Sequence, residues 1–400
     1  MLLSIALIII MSLMISKIMQ IIKVPPIIGM LITGIILGPY ALDLIDGRIL
    51  DISAELRQMA LIVILLRAGL ALKLEDLKKI GRPALLLAFV PATFEIIGVI
   101  ILAQVLFSLS FLESAILGSI LAAVSPAVVV PRMIKLIESG YGNKKRIPHL
   151  VLSGASLDDV YVIILFTSFL QSFITHDISL SMIYQIPTSI LLGIGLGISI
   201  GYLSVLLIKK IHMRDTIKVL LLFAGAFLFI SLEEFAKPRI LISGLLAVMT
   251  LGATINHFYS KLANRLVVKF EKIWVIAEIM LFVLVGAAVD VSVVPSIGLN
   301  AILLIFGALL FRMVGVIVSL IMTKYTFKEK LFVAISYLPK ATVQAAIGAI
   351  PLSIGISSGY LILTIAVLSI LITAPLGAIL IDYVAPRFLK QELSNSLEME

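Results

Sequence analysis

The chain has 400 residues, of which 61% are hydrophobic and 14% charged, and a mean hydropathy of +1.20. Soluble domains carry about 25% charged residues, so this composition excludes a water-coated globule and makes lipid the solvent. With no cysteine, disulfides, thiolate metal sites and thiol nucleophiles are excluded as well.

A membrane-crossing helix needs roughly 20 mostly apolar residues to traverse about 30 Å of hydrocarbon. Thirteen stretches qualify: 1–22, 24–41, 57–73, 84–110, 113–134, 148–174, 183–208, 216–232, 238–256, 270–289, 297–323, 330–355 and 358–384. The first is apolar from Leu2 to Ile22 apart from Lys17 and lacks a small-residue cleavage site, so it reads as a span rather than a removed leader. Residues 392–400, with Glu, Ser and Asn, read as a short solvated cytoplasmic tail to a single transporter domain over 1–391.

The loops between these stretches sort by charge. Lys73, Lys78, Lys79 and Arg82, then Arg132, Lys135, Lys144, Lys145 and Arg146, then Lys209, Lys210 and Arg214 fall in alternate loops. The same set continues with Lys261, Arg265 and Lys269, with Lys324, Lys328 and Lys330, and with Arg387 and Lys390. The opposite set holds Asp43, Asp46, Asp51, Glu113, Asp177, Glu233 and Glu234 and few cations. Since Lys and Arg accumulate on the cytoplasmic side, the N-terminus is expected outside and the C-terminus inside. The net charge of +8 is then a product of insertion topology and not a nucleic-acid surface.

A weak internal repeat accompanies this pattern. IGMLITGIILG (28–38) aligns with ISGLLAVMTLG (242–252), RAGL at 67 with LVGA at 284, and Ser125-Pro126 with Pro339-Lys340, at offsets of 214 to 217. The first pair lies in the second and ninth spans, an odd offset of seven, which sets the two copies in opposite orientations. Inverted repeats of this kind place a binding site near the midplane, where discontinuous helices from the two halves cross.

Ionisable groups inside spans are costly and mark function. Asp158 and Asp159 sit together in SGASLDDVYVI. Burial and mutual repulsion oppose ionising both, so they titrate as a coupled unit, and a bare cation relieves the same penalty as a proton. Loading one therefore expels the other. Glu95 in FVPATFEIIGV and Arg312 in LLFRMVGVIV are repeat mates suited to a buried ion pair. Lys340 lies in YLPKATVQAAIGA, where Pro339 breaks the helix, and Ser125 and Pro126 break the mate in VSPAVVVP. The half-helix ends carry partial charges, for which Lys340 offers neutralisation and Ser125 a hydroxyl ligand.

Taken as a set, SGASLDDV, SPAVVVP, PKATVQAAIG and VPPIIGMLITGIILGP (24–39) resemble the sodium/proton antiporters of the cation/proton antiporter superfamily, over Val24 to Leu380. They look closest to the NHA-type branch with a paired-aspartate site. The resemblance implies a homodimer in the cell membrane that exchanges Na+ or Li+ for H+ by elevator-like alternating access. It implies a core ion-transport bundle, here drawn as 57–174 and 270–384, and a dimerisation bundle, 1–56 and 183–256. By the same resemblance, Asp159 binds the transported cation and Asp158 helps form the site. Many paired-aspartate members carry lysine where Arg312 stands. Arginine does not readily release a proton, so their coupling ratio does not carry over.

Glu278 in IAEIMLFVLVG and Arg67 in LLRAGLAL are minor candidates, the first for a cytoplasmic funnel. The four histidines, His149, His176, His212 and His257, lie in or beside loops without ligand spacing, so neither a metal site nor another cofactor is expected beyond the transported ions. No phosphate loop or nucleophile elbow points to an enzyme. Two rivals stay open on the sequence: a K+/H+ antiporter on the same site, and a sodium-coupled organic-anion symporter, against which the adjacent aspartates count.

Overall fold

A computed structural model describes residues 1–72, 81–175, 181–236 and 242–391. Lys73, Lys78, Lys79, His176, Asp177 and the expected tail 392–400 lie outside these. Among the described residues the protein is all-helical and has no strand; a single bridge joins Tyr141 and Gln391.

The helices follow in chain order. Leu2–Ile21 (α1), Pro26–Leu37 (α2), the short Gly47–Asp51 (α3) and Ser53–Ala71 (α4) precede the long Arg82–Phe107 (α5). Phe111–Leu121 (α6) and Pro126–Glu138 (α7) are the two halves of one interrupted helix, followed by Ile147–Thr175 (α8), Ser181–Lys210 (α9) and Asp215–Ala236 (α10). Gly244–Phe258 (α11), Ser260–Ala287 (α12) and Val294–Ser319 (α13) lead to a second interrupted helix, made of Phe327–Ser336 (α14), Thr342–Ile347 (α15) and Ile350–Ser353 (α16). Gly359–Phe388 (α17) closes the chain.

Among the described residues seven segments are long and apolar enough to cross a membrane: 2–21, 82–107, 111–138, 188–210, 215–236, 295–319 and 359–388. Other expected spans fall short for visible reasons. α2 and α11 are apolar but only 12 and 15 residues long. α4 carries Glu55, Arg57 and Arg67, and α12 carries Lys261, Arg265, Lys269, Glu271, Lys272 and Glu278.

Local chemistry sets the helix ends. Pro26 opens α2 at a position where its missing N–H costs nothing. Both interrupted helices begin with a capping box, Ser110 with Glu113 before α6 and Thr326 with Glu329 before α14, at the offset of the sequence repeat.

The helices pack as two groups. α5 lies along α13, and with α6, α7, α8, α14 and α17 they surround the two interruptions. α1, α2, α4, α9, α10, α11 and α12 form the other group. α4 and α12, which the expected division places in the ion-transport bundle, lie on each other and on α11, and α12 lies also on α2. Glycines explain why. A Cβ at Gly69 would collide with the Met249 carbonyl of α11, and one at Gly286 with the Leu31 carbonyl of α2, so backbones approach as only small residues permit. The groups meet where the short α15 lies against α4 and α12, where α8 meets α9 and α11, and where α17 meets α2.

Candidate functional site

The interruptions of the two broken helices touch. The Ser125 N–H donates to the Pro339 carbonyl at 2.8 Å, joining the break at 122–125 to the break at 337–341. Ending α6 at Leu121 strands its last carbonyls inside the protein, where each needs a donor. Gln344 of α15 supplies two, from Nε2 to the Ala123 carbonyl at 2.8 Å and to the Leu121 carbonyl at 3.3 Å, while its Oε1 accepts from the Ala341 N–H at 2.8 Å. The Ala122 carbonyl accepts from Arg312 Nη1.

Four buried ionisable side chains converge on this crossing. Arg312 of α13, fully buried, donates through Nη1 to Glu95 Oε2 at 2.6 Å and through Nη2 to Asp158 Oδ2 at 2.9 Å. The same Glu95 oxygen accepts from Lys340 Nζ at 2.7 Å. Asp158 Oδ2 also accepts the Val124 N–H at 2.9 Å, so this carboxylate caps the break of the first interrupted helix. The Lys340 N–H donates to Thr373 Oγ1 at 2.9 Å, which anchors the second break on α17.

Asp159 stands apart from this network. Its buried Oδ1 has no donor, and neither do Asp158 Oδ1, Ser125 Oγ, Thr342 Oγ1 and Tyr337 Oη. A buried polar atom without a partner costs about 1–3 kcal/mol, and these five oxygens, two on α8 and three at or beside the helix breaks, make the crossing a strongly polar region. The charges agree. Arg312 and Lys340 are matched by Glu95 and Asp158 through direct ion pairs, and among the described residues Asp159 makes no direct ion pair.

The residues singled out in the sequence are thus brought together, with one change of partner. Lys340 was expected to neutralise exposed carbonyl ends. It reaches Glu95 instead, because Arg312 and Gln344 already satisfy those carbonyls. Arg67 and Glu278 lie elsewhere, on α4 and α12, where Arg67 pairs with Glu271 at 3.5 Å. Gln344, Thr373, Tyr337 and Gly154 were missed. For Gln344 a signal was present, since an amide in an otherwise apolar run must find partners for four hydrogen bonds.

Interrupted membrane helices that cross over buried charges are the architecture of secondary transporters, and this multi-pass membrane protein has it. It belongs to the sodium/hydrogen exchanger family, whose transmembrane model matches residues 5–384. Similar curated proteins include mouse sodium/hydrogen exchanger 9B2, 32% identical over 388 residues that span 92% of this chain and 69% of that one. Human sodium/hydrogen exchanger 9B1 is 31% identical over 403 residues, 95% of this chain and 77% of the relative. In fold the protein is similar to the sodium proton antiporter MjNhaP1 from Methanocaldococcus jannaschii at pH 8, with a TM-score of 0.82 and 21% identity across 96% of this chain and 97% of that one.

Proposed function

We propose that the protein exchanges Na+ or Li+ for H+ at Asp159, with Asp158 and Ser125 completing the cation's oxygen shell. The observation that carries this reading is the unmatched carboxylate of Asp159 beside a cluster that is otherwise paired. One unmatched negative charge is neutralised by one proton or one monovalent cation and not by both, so loading one releases the other. Arg312 holds its proton throughout, and Lys340 is tied to Glu95. The exchange is therefore one proton per cation. Sodium/hydrogen exchangers are transporters, and no enzymatic step is required of this chain.

For the movement, the group formed by α5 to α8 and α13 to α17 carries the site as a rigid body past the other helices, an elevator that slides where α15 meets α4 and α12. In this division α4 and α12 belong to the stationary part. The stationary part also supplies the homodimer contact. This reading keeps thirteen spans in a cell membrane, and the basic loops support a topology with the N-terminus outside and the C-terminus in the cytoplasm.

The test uses proteoliposomes. Because proton and cation share a carboxylate, the apparent constants for Na+ and Li+ rise as pH falls, while the maximal rate at saturating cation changes much less on the acid side. Activity is bell-shaped in pH, limited by a protonated site at low pH and by returning protons at high pH. A cation constant independent of pH over the range where the rate changes would place the proton at a separate site. In the same vesicles the rate is indifferent to an imposed membrane potential, and a rate that follows the potential excludes one-for-one exchange. Potassium as a third cation separates the rival selectivity.

A further inference from the structure

Tyr337 lies in the break of the second interrupted helix and is fully buried. Its ring faces the Arg312 guanidinium, with the guanidinium carbon 5.4 Å from the ring centroid, a cation–π distance. Arg312 spends both Nη atoms on Glu95, Asp158 and the Ala122 carbonyl, while its Nε has no partner. The ring face is the remaining constraint on how that planar fork is turned. The Tyr337 hydroxyl is buried without a partner. A phenylalanine would fill the same volume without burying an orphaned hydroxyl, so ring packing alone does not account for a tyrosine.

Gly154 shows where the hydroxyl points. A Cβ at 154 would collide with the Tyr337 oxygen, so that oxygen sits directly on the α8 backbone. Residue 154 lies four positions before Asp158, one turn away on the same helix face. Asp158 Oδ1 is itself buried and without a donor. An orphaned donor and an orphaned acceptor therefore share one face of α8. The charged and titratable groups gathered around them are Glu95 on α5, Asp158 and Asp159 on α8, Arg312 on α13 and Lys340 on the segment of Tyr337 itself.

We propose that Tyr337 is a positioning residue of the ion site: its ring holds the Arg312 guanidinium on Glu95 and Asp158, and its hydroxyl, seated on Gly154, donates to the Asp158 carboxylate when the site carries a cation. The identity of the cation rests on the exchange reading given above; the role of the side chain does not. With the bond formed, Asp158 keeps its charge while a cation is drawn to the pair, and the proton competes less well.

The test compares Tyr337→Phe, Tyr337→Leu and Gly154→Ala in the full chain, by thermal midpoint in detergent with and without Na+ or Li+, and by transport across pH. Tyr337→Phe keeps the cation-free midpoint and raises the apparent sodium constant about tenfold or more, the loss of one hydrogen bond to a charged group. That rise exceeds any fall in maximal rate, and the acid limb of the activity profile moves to higher pH. Gly154→Ala, which displaces the hydroxyl, follows Tyr337→Phe. Tyr337→Leu also lowers the cation-free midpoint, because the guanidinium loses the ring. A Tyr337→Phe protein with an unchanged cation-dependent midpoint shift, sodium constant and pH profile overturns the proposal and leaves Tyr337 as packing. If the unmodified protein moves no protons on addition of sodium or lithium, the exchange reading fails, while the cation-dependent midpoint shift still decides the role of Tyr337.

Discussion

Asp159→Asn lowers cation-driven proton movement in proteoliposomes to below about 1% of the unmodified protein, as expected when an intramembrane carboxylate that function depends on is neutralised. The amide fits the volume of the carboxyl and cannot exchange a proton for a cation. It also removes the one charge of the cluster that no cation faces directly, so the thermal midpoint in detergent holds or rises. Asp158→Asn behaves differently, because Asp158 accepts from Arg312 and from the Val124 N–H. Its loss lowers the midpoint and weakens coupling without abolishing it. Full exchange by Asp159→Asn would remove this residue from the mechanism.

The largest loss of stability comes from Glu95→Gln. One oxygen of Glu95 accepts from both Arg312 and Lys340, so its neutralisation leaves two buried cations short of an anion. Breaking a buried pair from one side costs about 3–5 kcal/mol, and here both pairs lose the same partner. Arg312→Gln is destabilising as well, because Lys340 keeps Glu95 compensated but Asp158 loses its counter-charge. The Glu95→Gln/Arg312→Gln double variant recovers part of the summed loss, because neither charge is then stranded by the absence of the other. Thermal or denaturant midpoints in detergent measure all three. Strict additivity would mean that the two side chains do not interact.

The candidate site was legible in the sequence because charge is scarce there. Six residues stood out against apolar surroundings: Glu95, Ser125, Asp158, Asp159, Arg312 and Lys340. The two helix breaks announced themselves through Pro126 and Pro339. Partner choice was less legible. Nothing in the spacing says that Lys340 reaches past the carbonyl ends to Glu95, since this depends on Gln344 and Arg312 arriving there first. Tyr337 and Gly154 escaped notice for a related reason. An aromatic residue and a glycine are ordinary in apolar helices, and their meaning comes from a contact between segments far apart in the chain.

Helix grouping was less legible. The close backbone approaches at Gly69 and Gly286, which set α4 on α11 and α12 on α2, depend on contacts between segments far apart in the chain. The capping boxes at Ser110 and Thr326 were a missed signal of the opposite kind, local and plain, and they support the same repeat offset as the helix breaks.

The hydrogen bond from the Ser125 N–H to the Pro339 carbonyl bears on how the site is presented to the two faces of the membrane. In the elevator proposed above it would fasten one break to the other within the moving group, so the ligands would travel together between the two faces of the membrane. A site that travels intact offers the cation the same intrinsic affinity from either side. Affinity on each face would set how fast the proposed exchange runs, while the point at which net flux reverses is fixed by the sodium and proton gradients alone.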